Sequence, residues 1–275
     1  MANKLTVGLA QIDCSLGAVE DNVQKHLEWI EKARQEGVEL LLFPELSMTG
    51  YRLLHLTSRV ACRIEASEHV QRLAEASGEM AVVVGLVEED GQGVLYNSAV
   101  LLRAGQILHV HRKLYLPTYG IFQEGRFFGP GKRLDLAEVA GEKLGLLICE
   151  DLWHPRLAQR LAAGGGKILG VLSAGPGTVG SGESLESQDT WECITRSTAV
   201  VNTSWLLYCN RVGWEEGSFY AGGSHIVRPG GQILCRAASL QEDFLVATLD
   251  LREVDRLRWR LPLLRAERSD IEGPE

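Results

Sequence analysis

Three polar residues, Glu45, Lys113 and Cys149, each stand where an apolar run of strand length gives way to a loop. Reactive groups of α/β proteins are commonly placed at such strand ends. Taken singly, a cysteine there is usually an inert core thiol, and a lone lysine or glutamate is usually a solvated charge. Together they form a coherent set, because a thiol needs a base to become a nucleophile and an acyl-transfer transition state needs a cation or donors beside its oxyanion.

The elements that must position these residues follow from hydrophobic periodicity, with strand-length apolar runs alternating with helical patterns. Hairpin turns at 103–106 and 228–231 require antiparallel neighbours, so an all-parallel sheet is disfavoured. The predicted fold class is α/β, a layered sandwich with mixed sheets. The predicted strands are 5–10, 40–43, 81–87, 96–102, 107–113, 144–149, 168–172, 205–210, 224–227, 232–236 and 244–249; the predicted helices are 22–36, 67–77, 155–163 and 188–201.

No linker or low-complexity tract divides the chain, which predicts one domain over residues 1–275. The Arg-rich segment 251–275 looks too polar to form a core element. It is expected to be a frayed tail or an arm that packs on another subunit.

Composition narrows the class of partner. The chain has 275 residues, 45% of them hydrophobic and 23% charged, with a net charge of −8 and no block of Lys or Arg. This balance argues against nucleic acid or an anionic membrane as the main partner and favours a small molecule. Because no apolar run is long enough to span a membrane and the N-terminus lacks a signal-peptide core, a cytoplasmic protein is expected.

Other motifs carry less weight. The six cysteines include no Cys-x-x-Cys, so neither a zinc site nor a disulfide framework is indicated. His109 and His111 share a strand face but have no third ligand at a suggestive spacing. Residues 175–180 match Gly-x-Gly-x-x-Gly, yet the next helical pattern begins too far along to offer its N-terminus to a phosphate. A serine-hydrolase elbow is disfavoured, since 222–225 lack the second glycine of Gly-x-Ser-x-Gly.

The sequence motifs around the three polar residues are more specific for a protein family. FPELSMTGY at 43–51, RKLYLP at 112–117 and ICEDLW at 148–153 resemble the catalytic segments of the nitrilase superfamily, the carbon-nitrogen hydrolases. FQEGRFFGPG at 122–131 is similar to that family's glutamate-bearing loop, and NRVG at 210–213 and FYAGGS at 219–224 are similar to its later strands.

The resemblance implies a four-layer α-β-β-α sandwich, a homodimer or higher homo-oligomer with a C-terminal arm crossing to the neighbour, and hydrolysis of an amide or nitrile through a thioester. Glu45 would be the base, Cys149 the nucleophile, and Lys113 with the backbone N–H of Glu150 the oxyanion donors. Glu124 would orient Lys113 and the leaving group. No metal or organic cofactor is implied.

Within the superfamily, residues 149–153 and 116–120 are most similar to the glutaminase domain of glutamine-dependent NAD synthetases, which implies that Tyr119, Glu150 and Trp153 line the pocket. Two features of this sequence differ from those glutaminase domains. The chain has no Ser-Gly-Gly-x-Asp-Ser word, and 173–177 read SAGPG where the glutaminases carry Ser-Pro followed by Tyr or Phe.

The last third of the sequence instead resembles stand-alone amidases and N-carbamoyl amidohydrolases, and nitrilases usually have Trp where this chain has Glu150. The favoured function is therefore hydrolysis of a small linear amide or N-carbamoyl compound with release of ammonia. Alternatives are a glutaminase subunit feeding a separate synthetase, a nitrile-hydrolysing member, and a non-catalytic scaffold in which Glu45, Lys113 and Cys149 do not converge.

Overall fold

Two six-stranded mixed sheets pack face to face with helices on both outer sides, in a computed structural model that describes residues 4–178 and 185–268. This four-layer α-β-β-α arrangement is the predicted fold class. The strands are β1 Lys4–Gln11, β2 Leu40–Leu42, β3 Ala81–Glu89, β4 Leu95–Arg103, β5 Gln106–Arg112, β6 Leu136–Val139, β7 Glu142–Ile148, β8 Ile168–Ser173, β9 Trp205–Asn210, β10 Val212–Glu215, β11 Ser218–Ala221, β12 His225–Val227, β13 Ile233–Arg236 and β14 Asp243–Asp250. The α-helices are α1 Val19–Gln35, α2 Thr57–Val60, α3 Glu68–Ser77, α4 Glu124–Phe127, α5 Pro155–Ala163, α6 Glu186–Asn202 and α7 Arg252–Arg260.

The two large sheets have related topologies. The first has the order β14-β1-β2-β3-β4-β5, in which β1, β2 and β3 are parallel and the outer pairings are antiparallel. The second has the order β13-β12-β9-β8-β7-β6, with β7, β8 and β9 parallel at its centre. Parallel neighbours bring their carboxyl ends to one side of the sheet, and Glu45 and Cys149 follow such ends, after β2 and β7. Lys113 follows β5, which is antiparallel to β4 and therefore runs in the same direction as β3.

The core lies on both faces of each sheet. In β3, Ala81 and Val83 face the second sheet, whereas Val82 and Val84 pack beneath α1 and α3. Side chains alternate along a strand, so an element apolar at every position must be covered on both sides. The continuous apolar runs of the sequence therefore predict inner strands of a layered fold.

Most predicted elements are confirmed to within about two residues. Both predicted turns join antiparallel strands, β4 to β5 and β12 to β13. The sequence pattern missed β6 and the hairpin β10–β11, because each of these strands has only four residues and β6 and β10 also contain glycine or a charged residue.

The expectation that the C-terminal segment is too polar to form an element is wrong for α7. Leu251 and Val254 are fully buried in the main core. Charged side chains anchor the rest of the helix, with Arg258 bonding the carbonyl oxygen of Gly166 at 2.5 Å and Asp255 lying 3.0 Å from Lys167 Nζ. Two apolar residues on one helical face suffice here because the polar face makes fixed ion pairs. The homodimer and the crossing arm remain predictions.

Within the described residues, no helix is both long enough and apolar enough to cross a membrane.

Candidate active site

The four predicted catalytic residues all follow strand ends on the same side of the sandwich. Cys149 immediately follows β7, Lys113 immediately follows β5, and Glu45 lies three residues beyond β2. Glu124 begins the short helix α4 in the connection between β5 and β6. All four are buried, with Glu45 and Lys113 each only 1% exposed.

The Lys113 ammonium is the centre of the cluster. Its Nζ donates to Glu45 Oε1 and to Glu124 Oε1, both at 2.7 Å. Burial lowers the pKa of this lysine, but Glu124 and Glu45 raise it, and the carboxylates prevail so that the pKa stays well above its ordinary value. Lys113 is therefore a permanent cation inside the protein.

Glu45 is held by three donors from different elements. Besides Lys113, the side-chain amide of Asn97 donates to Oε1 at 2.7 Å and the backbone N–H of Ala174 donates to Oε2 at 2.8 Å. The backbone carbonyl oxygen of Asn97 also accepts the backbone N–H of Lys113 at 2.8 Å. These contacts fix the carboxylate between the ends of the two sheets.

Cys149 is the first residue of a 3-10 helix, Cys149–Trp153, that directly follows β7. Its φ of 44° lies in the left-handed region, which costs a non-glycine residue on the order of 1–3 kcal/mol and is found most often at functional sites. The parallel register pairs Ile148 with Leu172, so Ser173 at the end of β8 stands beside the thiol, with its Oγ 3.6 Å from Sγ. The same Ser173 precedes Ala174, which binds Glu45.

The electrostatics of the thiol define its resting state. Burial and the nearby Glu45 carboxylate raise the pKa of Cys149 well above its ordinary value, and the opposing effect of Lys113 does not cancel them. The resting group is therefore a neutral thiol, which needs a base at the moment of reaction.

Glu124 has an unusual environment for a carboxyl group. Burial, with a contribution from Glu45, raises its pKa to about 7 despite the opposing hydrogen bonds from Lys113 and Tyr51. The Tyr51 hydroxyl donates to the same Oε1 that accepts from Lys113. Within the described residues, Oε2 of Glu124 has no hydrogen-bond partner.

The three predicted pocket residues lie at the outer side of this cluster. The Tyr119 hydroxyl donates to Glu150 Oε2 at 2.7 Å, and Tyr119 is 56% exposed. Trp153 is 45% exposed and meets Trp191 edge to face, with ring centroids 5.6 Å apart. Glu150 directly follows Cys149, so its backbone N–H lies in the first helical turn and has no partner within that helix.

The sequence interpretation missed Asn97, Ser173 and Ala174 as members of the cluster. Ser173 is the last residue of the apolar strand β8, and Cys149 directly follows the apolar strand β7, so the strand-end rule would have found Ser173 as well. Asn97 stands at the start of an apolar run in β4, where a buried amide needs a partner. Ala174 contributes only a backbone N–H, which no side-chain pattern can reveal.

Two of the disfavoured motifs can be located in the structure. His111 is buried and hydrogen-bonded to Asp151, and among the described residues no group of three or more His, Cys, Asp or Glu side chains is placed to hold a metal. The Gly-x-Gly-x-x-Gly match ends at residues 179 and 180, which lie outside the described residues.

The family model described as carbon-nitrogen hydrolase matches residues 6–258, and the chain belongs to that family. It is 33% identical over 254 residues, 91% of its length, to a glutamine-dependent NAD(+) synthetase of Thermotoga maritima. That alignment covers 43% of the synthetase, so the chain spans less than half of this relative.

Two solved structures match the chain over nearly their whole lengths. A carbon-nitrogen hydrolase from Helicobacter pylori G27 has a TM-score of 0.85 and 27% identity, covering 98% of this chain and 97% of that one. A variant of the amidase from Nesterenkonia sp. AN1 has a TM-score of 0.79 and 26% identity, covering 94% and 95%, and carries the acetamide moiety of fluoroacetamide covalently bound to its active-site cysteine.

Proposed function

We propose that this chain hydrolyses a small linear amide or N-carbamoyl compound through a thioester on Cys149, with release of ammonia. The observation that carries the proposal is the placement of Glu45, which contacts the Lys113 ammonium and the backbone of Ala174 while Ser173, the neighbour of Ala174, contacts the thiol. A base, a buried cation and a neutral thiol thus lie within one cluster.

In the first half-reaction, Glu45 takes the thiol proton as the Cys149 sulfur forms a bond to the substrate carbonyl carbon. The carbonyl oxygen gains negative charge, and Lys113 together with the backbone N–H of Glu150 stabilises it. The carbon–nitrogen bond then breaks, and the proton held on Glu45 passes to the leaving nitrogen. A neutral ammonia or amine departs and leaves the acyl group as a thioester.

In the second half-reaction, Glu45 accepts a proton from water as the water oxygen attacks the thioester carbon. The carbon–sulfur bond breaks, the carboxylic acid leaves, and Cys149 recovers its proton. Glu124, whose Oε2 is not engaged by the described residues, orients Lys113 and offers an acceptor to the departing N–H group. Tyr119, Glu150 and Trp153 bind the remainder of the substrate.

A glutaminase function is the second candidate, favoured by the similarity to glutamine-dependent NAD(+) synthetases. The chemistry at Cys149 is the same, but the acyl donor is glutamine and the ammonia passes to a separate synthetase. In this case the Glu150 carboxylate, bonded to Tyr119, is suited to hold an α-ammonium group.

The test is ammonia release from a panel of simple amides, N-carbamoyl amino acids and glutamine, combined with the intact mass of the protein after short incubations. The proposal expects turnover of at least one substrate, an adduct on Cys149 whose mass gives the acyl half, and loss of both in Cys149→Ala. Ammonia release that survives Cys149→Ala would refute the mechanism. Turnover confined to glutamine would select the second candidate.

A further inference from the structure

Asp151 makes contacts that the proposed reaction steps do not use. It lies two residues after the nucleophile, and its side chain is fully buried. Its Oδ1 accepts the backbone N–H groups of Leu114 and Tyr115, both at 3.0 Å. Its Oδ2 accepts the N–H of Ile148 at 3.1 Å and lies 2.9 Å from His111 Nε2. One carboxylate therefore receives four hydrogen bonds.

Those four donors belong to two separate catalytic segments. Leu114 and Tyr115 directly follow Lys113, and His111 lies two residues before it, on β5 of the first sheet. Ile148 directly precedes Cys149, on β7 of the second sheet. The carboxylate thus joins the backbone that carries the cation to the backbone that carries the thiol, across the boundary between the two sheets.

The bond to Ile148 has a second effect. It closes the turn in which Cys149 takes its left-handed conformation, a conformation that a non-glycine residue keeps only when surrounding contacts enforce it. His111 is 2% exposed and donates its Nε2–H to Asp151, so it fixes the carboxylate from the opposite side.

We propose that Asp151, supported by His111, is a positioning residue that fixes the distance between the Lys113 ammonium and the Cys149 thiol. The inference rests on the proposed function, because it assigns Lys113 and Cys149 to one reaction. A carboxylate that only stabilised the fold would not need to bind the backbone directly after Lys113 and the backbone directly before Cys149.

The test compares two thiol reagents at Cys149. With acrylamide, the sulfur bonds to the β-carbon and the thiol proton ends on the α-carbon. Negative charge develops on the amide oxygen during this addition, and the Lys113 ammonium stabilises that charge. With methyl methanethiosulfonate, the sulfur displaces methanesulfinate and no carbonyl is involved. The ratio of the two rates at Cys149 reports the placement of Lys113 and is insensitive to the exposure of the thiol. Exposed Cys193 serves as an internal reference.

For Asp151→Asn we expect the acrylamide-to-thiosulfonate ratio at Cys149 to fall at least tenfold, with the Cys193 ratio unchanged. The matched control is Asp243→Asn, since Asp243 also accepts a backbone N–H, from Ala238 at 2.7 Å, but outside the cluster. A folded Asp151→Asn with the wild-type ratio would overturn the proposal, and so would an equal fall in Asp243→Asn.

If Asp151→Asn does not fold, the same ratio at Cys149 is measured in His111→Gln. A fall of about threefold or more in the ratio supports the proposal, and a wild-type ratio contradicts it. Failure of the proposed function has a different signature, because the wild-type ratio at Cys149 would then equal the ratio at Cys193. That outcome would remove the premise of the positioning role and overturn it as well.

Discussion

At the scale of single residues, the candidate site is a buried ion-pair cluster of one lysine and two glutamates. Lys113 is enclosed by the carboxylates of Glu45 and Glu124, and none of the three reaches solvent to any extent. Breaking a buried ion pair by removing one partner usually costs about 3–5 kcal/mol, because the remaining charge loses both water and its partner. With the proposed function, activity and stability are therefore coupled at this cluster.

Lys113→Met should show this coupling. We expect the free energy of unfolding to drop by about 3 kcal/mol or more and the rate of amide turnover to fall by about 10²–10³-fold or more. Adding Glu124→Gln should recover part of the stability but none of the activity, because it removes a carboxyl group that has lost its cation. Urea unfolding and ammonia release measure the two effects.

Lys25→Met is the matched control, since Lys25 pairs with Glu242 at 2.9 Å on the surface. It should change the stability by less than about 1 kcal/mol. Wild-type stability in Lys113→Met would show that the buried pairs are not coupled in this way.

Glu124 should make stability depend on pH. Its folded pKa of about 7 lies above the unfolded value of 4.5, so its contribution is fully present below pH 4.5 and is lost as the pH rises towards 7. Glu124→Gln should lack this loss. Between pH 4.5 and 8, the unfolding free energy of Glu124→Gln relative to that of the wild type should therefore rise by on the order of 3 kcal/mol. A constant difference across this range in urea titrations would contradict the assignment.

At the scale of elements, the loop that carries Glu45 packs directly on β3. A Cβ added to Gly85 would lie 2.4 Å from the backbone nitrogen of Leu46 and 2.6 Å from the carbonyl oxygen of Pro44. The Met48 N–H also donates to the Gly85 carbonyl oxygen at 3.0 Å. Only glycine permits this approach, so β3 and the Glu45 loop behave as one unit.

Gly85→Ala should therefore displace Glu45. We expect a destabilisation of about 1–3 kcal/mol, typical of overpacking, and a loss of turnover larger than the stability change explains. Gly230→Ala is the control, because the nearest atoms to its added Cβ all belong to the flexible side chain of Gln232. Thermal melts and kcat for both variants test the prediction, which fails if Gly85→Ala keeps wild-type kcat.

At the scale of the whole molecule, two buried neutral histidines, His26 on helix α1 and His225 on β12, oppose the pH effect of Glu124. Burial lowers the pKa of His26 and of His225 to about 4. Both values lie below the ordinary 6.5, so this contribution to stability is present above pH 6.5 and is lost as the pH falls towards 4. Together with Glu124, the histidines predict maximal stability near neutral pH.

The double variant His26→Gln and His225→Gln should show a smaller slope of unfolding free energy against pH between 6.5 and 4 than the wild type, whatever its absolute stability. The same substitution at exposed His55 should leave the slope unchanged. Equal slopes in the double variant and the wild type would show that these histidines do not govern acid lability.

Much of this molecule follows from local pattern. Runs such as 81–87 and 144–148 are apolar at every position, and a strand of that composition must be covered on both faces. Lys113 and Cys149 then lie directly after the carboxyl ends of their strands. Local pattern fails where few apolar contacts hold an element, as in α7, a mostly charged helix in which Val254 is the one buried residue.

The sequence by itself determined the class of fold and the residue types available for chemistry, because periodicity is encoded in neighbouring residues. The family followed from the resemblance of the segments around Glu45, Lys113 and Cys149 to the carbon-nitrogen hydrolases. Only the tertiary structure decided how Asn97, Ser173 and the Ala174 backbone complete the cluster, that Cys149 sits in a left-handed turn, and that Asp151 joins the two sheets. These features depend on contacts between segments separated by up to 129 residues, as from Glu45 to Ala174, and on backbone groups that every residue possesses.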